Sequence, residues 1–233
     1  MPSKAEQCWE GIRRSPLWSV YVSEAHLLAK RISVELDEIF SSPLLVTEPN
    51  RPALTVAPEV HDRIINVVFA AGRLRALLRD RQGPRTGMAR DILALRAKAL
   101  RELLDGISLE PLMDAMTRDA IEHFDEHFDS DAIASYQGTI GRPTLFALDL
   151  AVSSRSALDG LTVVGTRPTL HFLRVYVVDE RMVIHRDYEL RLTPLRTCCE
   201  EIRARIEEQS PTLAAPDRGA SLVVITDSSF PLA

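Results

Sequence analysis

The amino-acid sequence predicts an α+β protein: mainly a helical up-down bundle, with a small C-terminal antiparallel β portion and a final helix. Three observations predict it. Through residue 135, apolar side chains recur at helical spacing. Beyond residue 138, Val, Leu, Phe and Tyr gather in short runs with partial two-residue alternation. Helical spacing then returns behind Thr193-Pro194. A length of 233 residues suits one domain, or one domain with an appendage. The change of texture divides the chain into a helical domain over 10–135 and a β-rich extension over 136–233. The extension would hold a helix at 194–208 and a partly ordered tail.

Taken in order, Leu17, Val20, Tyr21, Leu27, Leu28, Ile32, Leu36 and Ile39 predict a helix over Pro16–Phe40, stopped at Ser41-Ser42-Pro43. Pro43, Pro49, Pro52 and Pro58 mark a connection, and Pro58-Glu59 opens a second helix running to Leu77-Leu78, with proline at a first-turn position. Gly83-Pro84-Arg85-Thr86-Gly87 is a loop. A third helix spans Met88 to Leu104 and is stopped by Asp105-Gly106. Ser108-Leu109-Glu110-Pro111 starts a fourth, which fades at Ser130. Strands are expected within Thr144–Val152, Leu161–Val164, Thr169–Val178 and Met182–Leu192, with a hairpin turn between Val177 and Val183. Thr193-Pro194 reads as a cap followed by a first-turn proline. After Gln209 the chain is rich in Ser, Pro and Ala, and Leu222–Ile225 offers an edge strand.

Composition narrows the function. Apolar content of 45% and charged content of 26% are those of a soluble globular protein. No apolar run approaches the roughly 18–20 residues that span a bilayer, and the first residues lack a signal-peptide core, so a cytoplasmic protein without a membrane partner is expected. Cys8, Cys198 and Cys199 form neither a disulfide framework nor a Cys-x-x-Cys metal spacing. A net charge of −5 argues against duplex binding driven by phosphate contacts. The charge is nevertheless polarised. Arg73, Arg75, Arg79, Arg81, Arg85, Arg90, Arg96, Lys98 and Arg101 crowd one stretch, and the next, Glu102 to Asp131, is almost wholly acidic. Two helices pairing charge across their solvated faces would account for this, and so would a basic flank beside an acidic catalytic helix.

The densest chemistry lies in Met116–Asp129, where Met116, Ala120, Phe124 and Phe128 form one apolar stripe and Arg118, His123, His127 and several carboxylates the rest. Arg118-Asp119-Ala120-Ile121-Glu122-His123 is an Arg-x4-His element. It resembles the signature of the HEPN superfamily, all-helical nucleotide-binding domains many of which are metal-independent ribonucleases. Further similarity to an uncharacterised bacterial HEPN-like group extends over residues 60–205, through Leu100–Asp105, Glu122–Glu126, Gly138–Gly141 and Phe172–Tyr176. The class usually has asparagine after the arginine, where this chain has Asp119.

The resemblance implies a homodimeric endoribonuclease acting on RNA with no metal or other cofactor, its composite site built from two copies of the motif. Arg118 would clamp the scissile phosphate, His123 would transfer protons and Asp119 would orient His123. Glu122 and His127 are secondary candidates, and Arg90, Arg96 and Arg101 of the basic flank would contact nucleic acid. By analogy with the family, a toxin or defence role held in check by an antitoxin or regulatory protein is expected.

Two other readings stay open. A catalytically inactive module that binds protein or nucleotide accounts for the acidity, because Asp119, Glu122, Asp125 and Glu126 repel a polyanion unless the basic stretch offsets them. His123-x-x-Glu126-His127 also places two histidines one helical turn apart, as in a zinc hydrolase with Glu126 as base, although no third ligand stands out. His26 and His61 lie beside apolar helical positions and read as structural. His171 and His185 fall on the expected hairpin, and Trp9, Trp18 and Tyr21 read as core or interface packing.

Overall fold

The computed structural model describes residues 2–42, 55–80, 87–113, 145–162, 169–172, 174–185 and 188–211. A capping box seats α1 (Lys4–Arg14). The Ser3 hydroxyl accepts from the Glu6 N–H, and the Ser3 N–H donates to the Glu6 carboxylate at 2.6 Å. Ser15 ends α1 and caps α2 (Pro16–Ser41) by accepting from the Leu17 N–H, with Pro16 at the position where a missing N–H is tolerated. Ala25, Ala29, Ile32, Leu36 and Ile39 give α2 a fully buried face. That face packs on α3 (Pro58–Leu78) and on the final helix, α7 (Leu192–Gln209). Next, α4 (Met88–Leu103) lies against α1 and α3; Gly106, at φ +84°, follows its end in the left-handed region that glycine tolerates. A single turn, α5 (Glu110–Met113), is seated between α3 and α7.

The strands are β1 (Thr55–Val56), β2 (Leu145–Leu148), β3 (Ala151–Ser153), β4 (Thr169–Phe172), β5 (Val175–Val177), β6 (Met182–His185) and β7 (Tyr188–Arg191), with α6 (Arg155–Thr162) between β3 and β4. They form a five-stranded sheet in the order β1-β3-β5-β6-β7 and a two-stranded pair, β2-β4. The helical majority, the small β portion and the final helix match the expected fold class, but the sheet is mixed rather than purely antiparallel. β3 runs parallel to β5, and β2 to β4. The cause is topological: α6 carries the chain back to its starting edge, and such a crossover delivers the next strand in the same direction. Leu161 and Thr162 belong to α6, so a strand does not begin there.

Both faces of the main sheet are covered. Val152, Tyr176, Val183 and Leu190 point into the core formed by α2, α3 and α7. The alternate residues Ala151, Val175, Val177, Met182 and Ile184 pack with Leu158 of α6. Burial raises the Tyr176 hydroxyl to about 12. The strand beside β3 is β1, from the proline-rich connection; Leu222–Ile225 and the boundary at residue 135 lie outside the described residues. Helix α7 begins at Leu192, one residue before the expected cap, so Thr193 is already helical and its carbonyl accepts from the Thr197 hydroxyl. No helix among the described residues is long and apolar enough to cross a membrane.

Candidate functional site

Arg118, Asp119, Glu122, His123 and His127 lie outside the described residues. What is described is the approach to them: the chain leaves α4, turns at Gly106 and is held against α3 and α7 by α5. The basic flank is described in part, and two of its arginines, Arg96 and Arg101, are turned to backbone carbonyls of the protein. Arg96 is nearly buried; its Nη2 donates to the Ala76 carbonyl at 2.9 Å, and its guanidinium lies 5.6 Å from the centre of the Tyr21 ring. Arg101 Nη1 donates to the Leu78 carbonyl at 2.8 Å, and its Nη2 is 3.5 Å from the Asp80 carboxylate. Both arginines therefore serve the C-terminal turn of α3, whose last carbonyls lack helical partners and whose dipole end favours a cation. Arg90 is exposed and only loosely paired with Asp91, at 4.0 Å. Arg73 is paired with Glu24, and Lys98 with Glu102. Among the described residues, Glu102 is the partner that belongs to the acidic stretch, and Glu24 of α2 and Asp80 at the end of α3 lie outside it.

The opposite end of α3 carries a polar cluster that spacing along the sequence does not reveal. His61, in the first turns of α3, is 1% exposed, and its Nε2 lies 3.2 Å from the Ala151 carbonyl in β3. Nearby, the chain bends at Leu150, between β2 and β3, and at Arg174, between β4 and β5; Leu150 adopts φ +53°. Arg174 closes this double bend by donating two parallel hydrogen bonds to Asp149, at 2.7 and 2.6 Å.

Burial lowers the His61 pKa, with the Arg174 charge adding to the effect, although the Ala151 and Leu150 backbone and Asp149 oppose it. The imidazole is therefore neutral at pH 7, and its Nε2–H donates to Ala151. Burial alone would raise the Asp149 carboxyl, but the hydrogen bonds and charge of Arg174 outweigh it and hold Asp149 below the ordinary carboxylate value. The same hydrogen bonds from the other side, reinforced by the Asp149 charge against the cost of burial, raise Arg174. Arg174 and Asp149 are bonded to each other, and the imidazole is closed to solvent. This arrangement locks α3 to the sheet; it does not present a base to a substrate.

The remaining histidines and thiols follow the same logic. His26 Nε2 contacts the Glu207 carboxylate at 2.9 Å, tying α2 to α7. Burial pushes the Cys198 thiol to about 12 and the Cys199 thiol well above its ordinary value, so neither supplies a thiolate. Among the described residues, no group of three or more His, Cys, Asp or Glu could hold a metal ion. Trp9 is buried edge-on against Trp18, with ring centres 5.9 Å apart. No protein-family model, curated protein or solved structure matches the chain.

Proposed function

We propose that the protein is a metal-independent endoribonuclease whose reacting groups are Arg118, His123 and Asp119. The observation that carries the reading is the Arg-x4-His element itself, with a carboxylate one helical turn before the histidine. The helical majority of the fold and the anchoring of α5 immediately before the element support it. His123 would take the proton from a 2′-hydroxyl as that oxygen attacks the neighbouring phosphate, and would return it to the departing 5′-oxygen. Arg118, protonated at any working pH, would hold the charge that builds on the phosphate oxygens. Asp119 would keep the imidazole oriented and raise its pKa. RNA is the substrate, a second copy completes the site, and a regulatory protein restrains it.

A binding module without activity is the second reading, favoured by the inward engagement of Arg96 and Arg101. Guanidiniums bonded to the Ala76 and Leu78 carbonyls do little to offset Asp119, Glu122, Asp125 and Glu126 against a polyanion.

Incubating a mixed RNA substrate in EDTA with the wild type, His123→Ala and Arg118→Ala separates the two. Cleavage by the wild type, lost by at least about a hundredfold in both variants, is the expected result. An inert wild type that binds a basic partner protein would establish the module instead. Activity recovered only on adding zinc would transfer the chemistry to His123, Glu126 and His127.

A further inference from the structure

Helix α2 has one face that the rest of the described chain leaves uncovered. Leu17, Val20, Leu27 and Val34 recur at intervals of three and seven residues, and all are exposed; Leu27 is 58% accessible and Val34 49%. On α3, the Glu24–Arg73 and Glu35–Arg63 ion pairs fix an antiparallel register that sets Phe69, itself exposed, level with the middle of this stripe. The flanking charges are distributed unequally. Glu24, Glu35 and Asp37 are paired within the chain, to Arg73, Arg63 and Arg196. Lys30 and Arg31 are exposed and have no ion-pair partner among the described residues.

We propose that this stripe pairs antiparallel with the same stripe of a second copy, about a two-fold axis at Leu27. The stripe is self-complementary in that one arrangement. Leu27 meets Leu27 of the other copy, and Val34, seven residues on, meets Val20, seven residues back. Arg31, four on, lies on the same side of the stripe as Glu24, three back, so Arg31 of each copy meets Glu24 of the other, with Lys30 on the opposite flank. A carboxylate offers about four acceptor positions, so Glu24 can take a second cation while keeping Arg73. A parallel arrangement sets Lys30 of each copy beside Arg31 of the other, so the cations oppose one another and Glu24 meets neither.

The 26 residues of α2 extend about 39 Å at roughly 1.5 Å per residue. With Phe69 widening the patch, such a strip buries several hundred Å² per copy, below the roughly 800 Å² of a standard interface. The dimer is therefore weak and concentration-dependent. The inference stands on α2 and α3 alone and does not rest on the ribonuclease reading.

Sedimentation over a wide concentration range tests it, with thermal melts checking that each variant is folded. The wild type dimerises reversibly, and Leu27→Glu stays monomeric. Glu24→Lys, and separately the double variant Lys30→Glu/Arg31→Glu, each weaken self-association by about tenfold or more. Mixing those two charge variants restores a dimer, because each then faces its complement on both sides of the axis. A wild type that remains monomeric at every concentration overturns the proposal, even if an acidic amphipathic peptide binds the stripe. A dimer indifferent to Leu27→Glu, or charge variants that fail to associate when mixed, overturns it as well.

Discussion

The two ends of α3 are both fastened by nitrogen-bearing side chains, and they are fastened in opposite electrical states. At the N-terminal end, His61 is neutral and donates a hydrogen bond to the Ala151 carbonyl from a site closed to water. At the C-terminal end, Arg96 and Arg101 are cations donating to the Ala76 and Leu78 carbonyls. A helix has a partial positive charge at its start and a partial negative charge at its end. A charged imidazole in the first turns would oppose that field in a dry site, whereas guanidiniums over the last turn are favoured by it. The side chain at each end therefore follows both from the dipole and from how much water reaches it.

Breaking the buried end should cost most. His61→Ala leaves a cavity beneath the sheet and removes one donor from the Ala151 carbonyl, and a loss of about 2–4 kcal/mol in urea unfolding is expected. A loss under about 1 kcal/mol would show that the Ala151 contact contributes little. Asp149→Ala strands Arg174 at the strand bend. Because both side chains are partly exposed, about 1–3 kcal/mol is expected rather than the full cost of splitting a buried pair. Arg96→Met should cost about 1–2 kcal/mol and Arg101→Met about half that, the second guanidinium being wetter. If instead these two variants weaken RNA binding while leaving the urea midpoint unchanged, the helix-end role is wrong.

The smallest effect, and the one that sharpens the contrast, is in pH. His61 titrates below its ordinary value of 6.5 when folded. The unfolded chain therefore binds more protons as pH falls through that value, and the stability due to His61 is present above it and declines below it, down to the folded pKa. The C-terminal end has no such dependence, since guanidiniums stay charged throughout. Comparing stability–pH curves of the wild type and His61→Phe isolates this slope; identical curves near neutral pH would assign it elsewhere.

Much of this was legible without coordinates. Pro16, Pro58 and Gly106 punctuate the helices where local sterics require, and the apolar runs at Val175–Val177 and Met182–Ile184 mark strands joined by a turn. The site chemistry was less legible. Arg96 and Arg101 look, as letters, like a phosphate-binding flank, because nothing in their own segment says that the carbonyls of another helix lie within reach. His61 could be read as structural from its apolar neighbours, but its link to Ala151 spans 90 residues of sequence.

The sequence by itself determined the helical majority, the position of the β portion and the proline-marked starts of α2 and α3, because backbone sterics and apolar spacing act over a few residues; α1 was not read from it. Tertiary structure alone decided that the sheet is mixed, that Thr55–Val56 pairs with β3, and which cations face inward. Those outcomes depend on where a crossover helix returns the chain and which buried carbonyls need a donor. Both are settled by contacts between residues far apart in sequence.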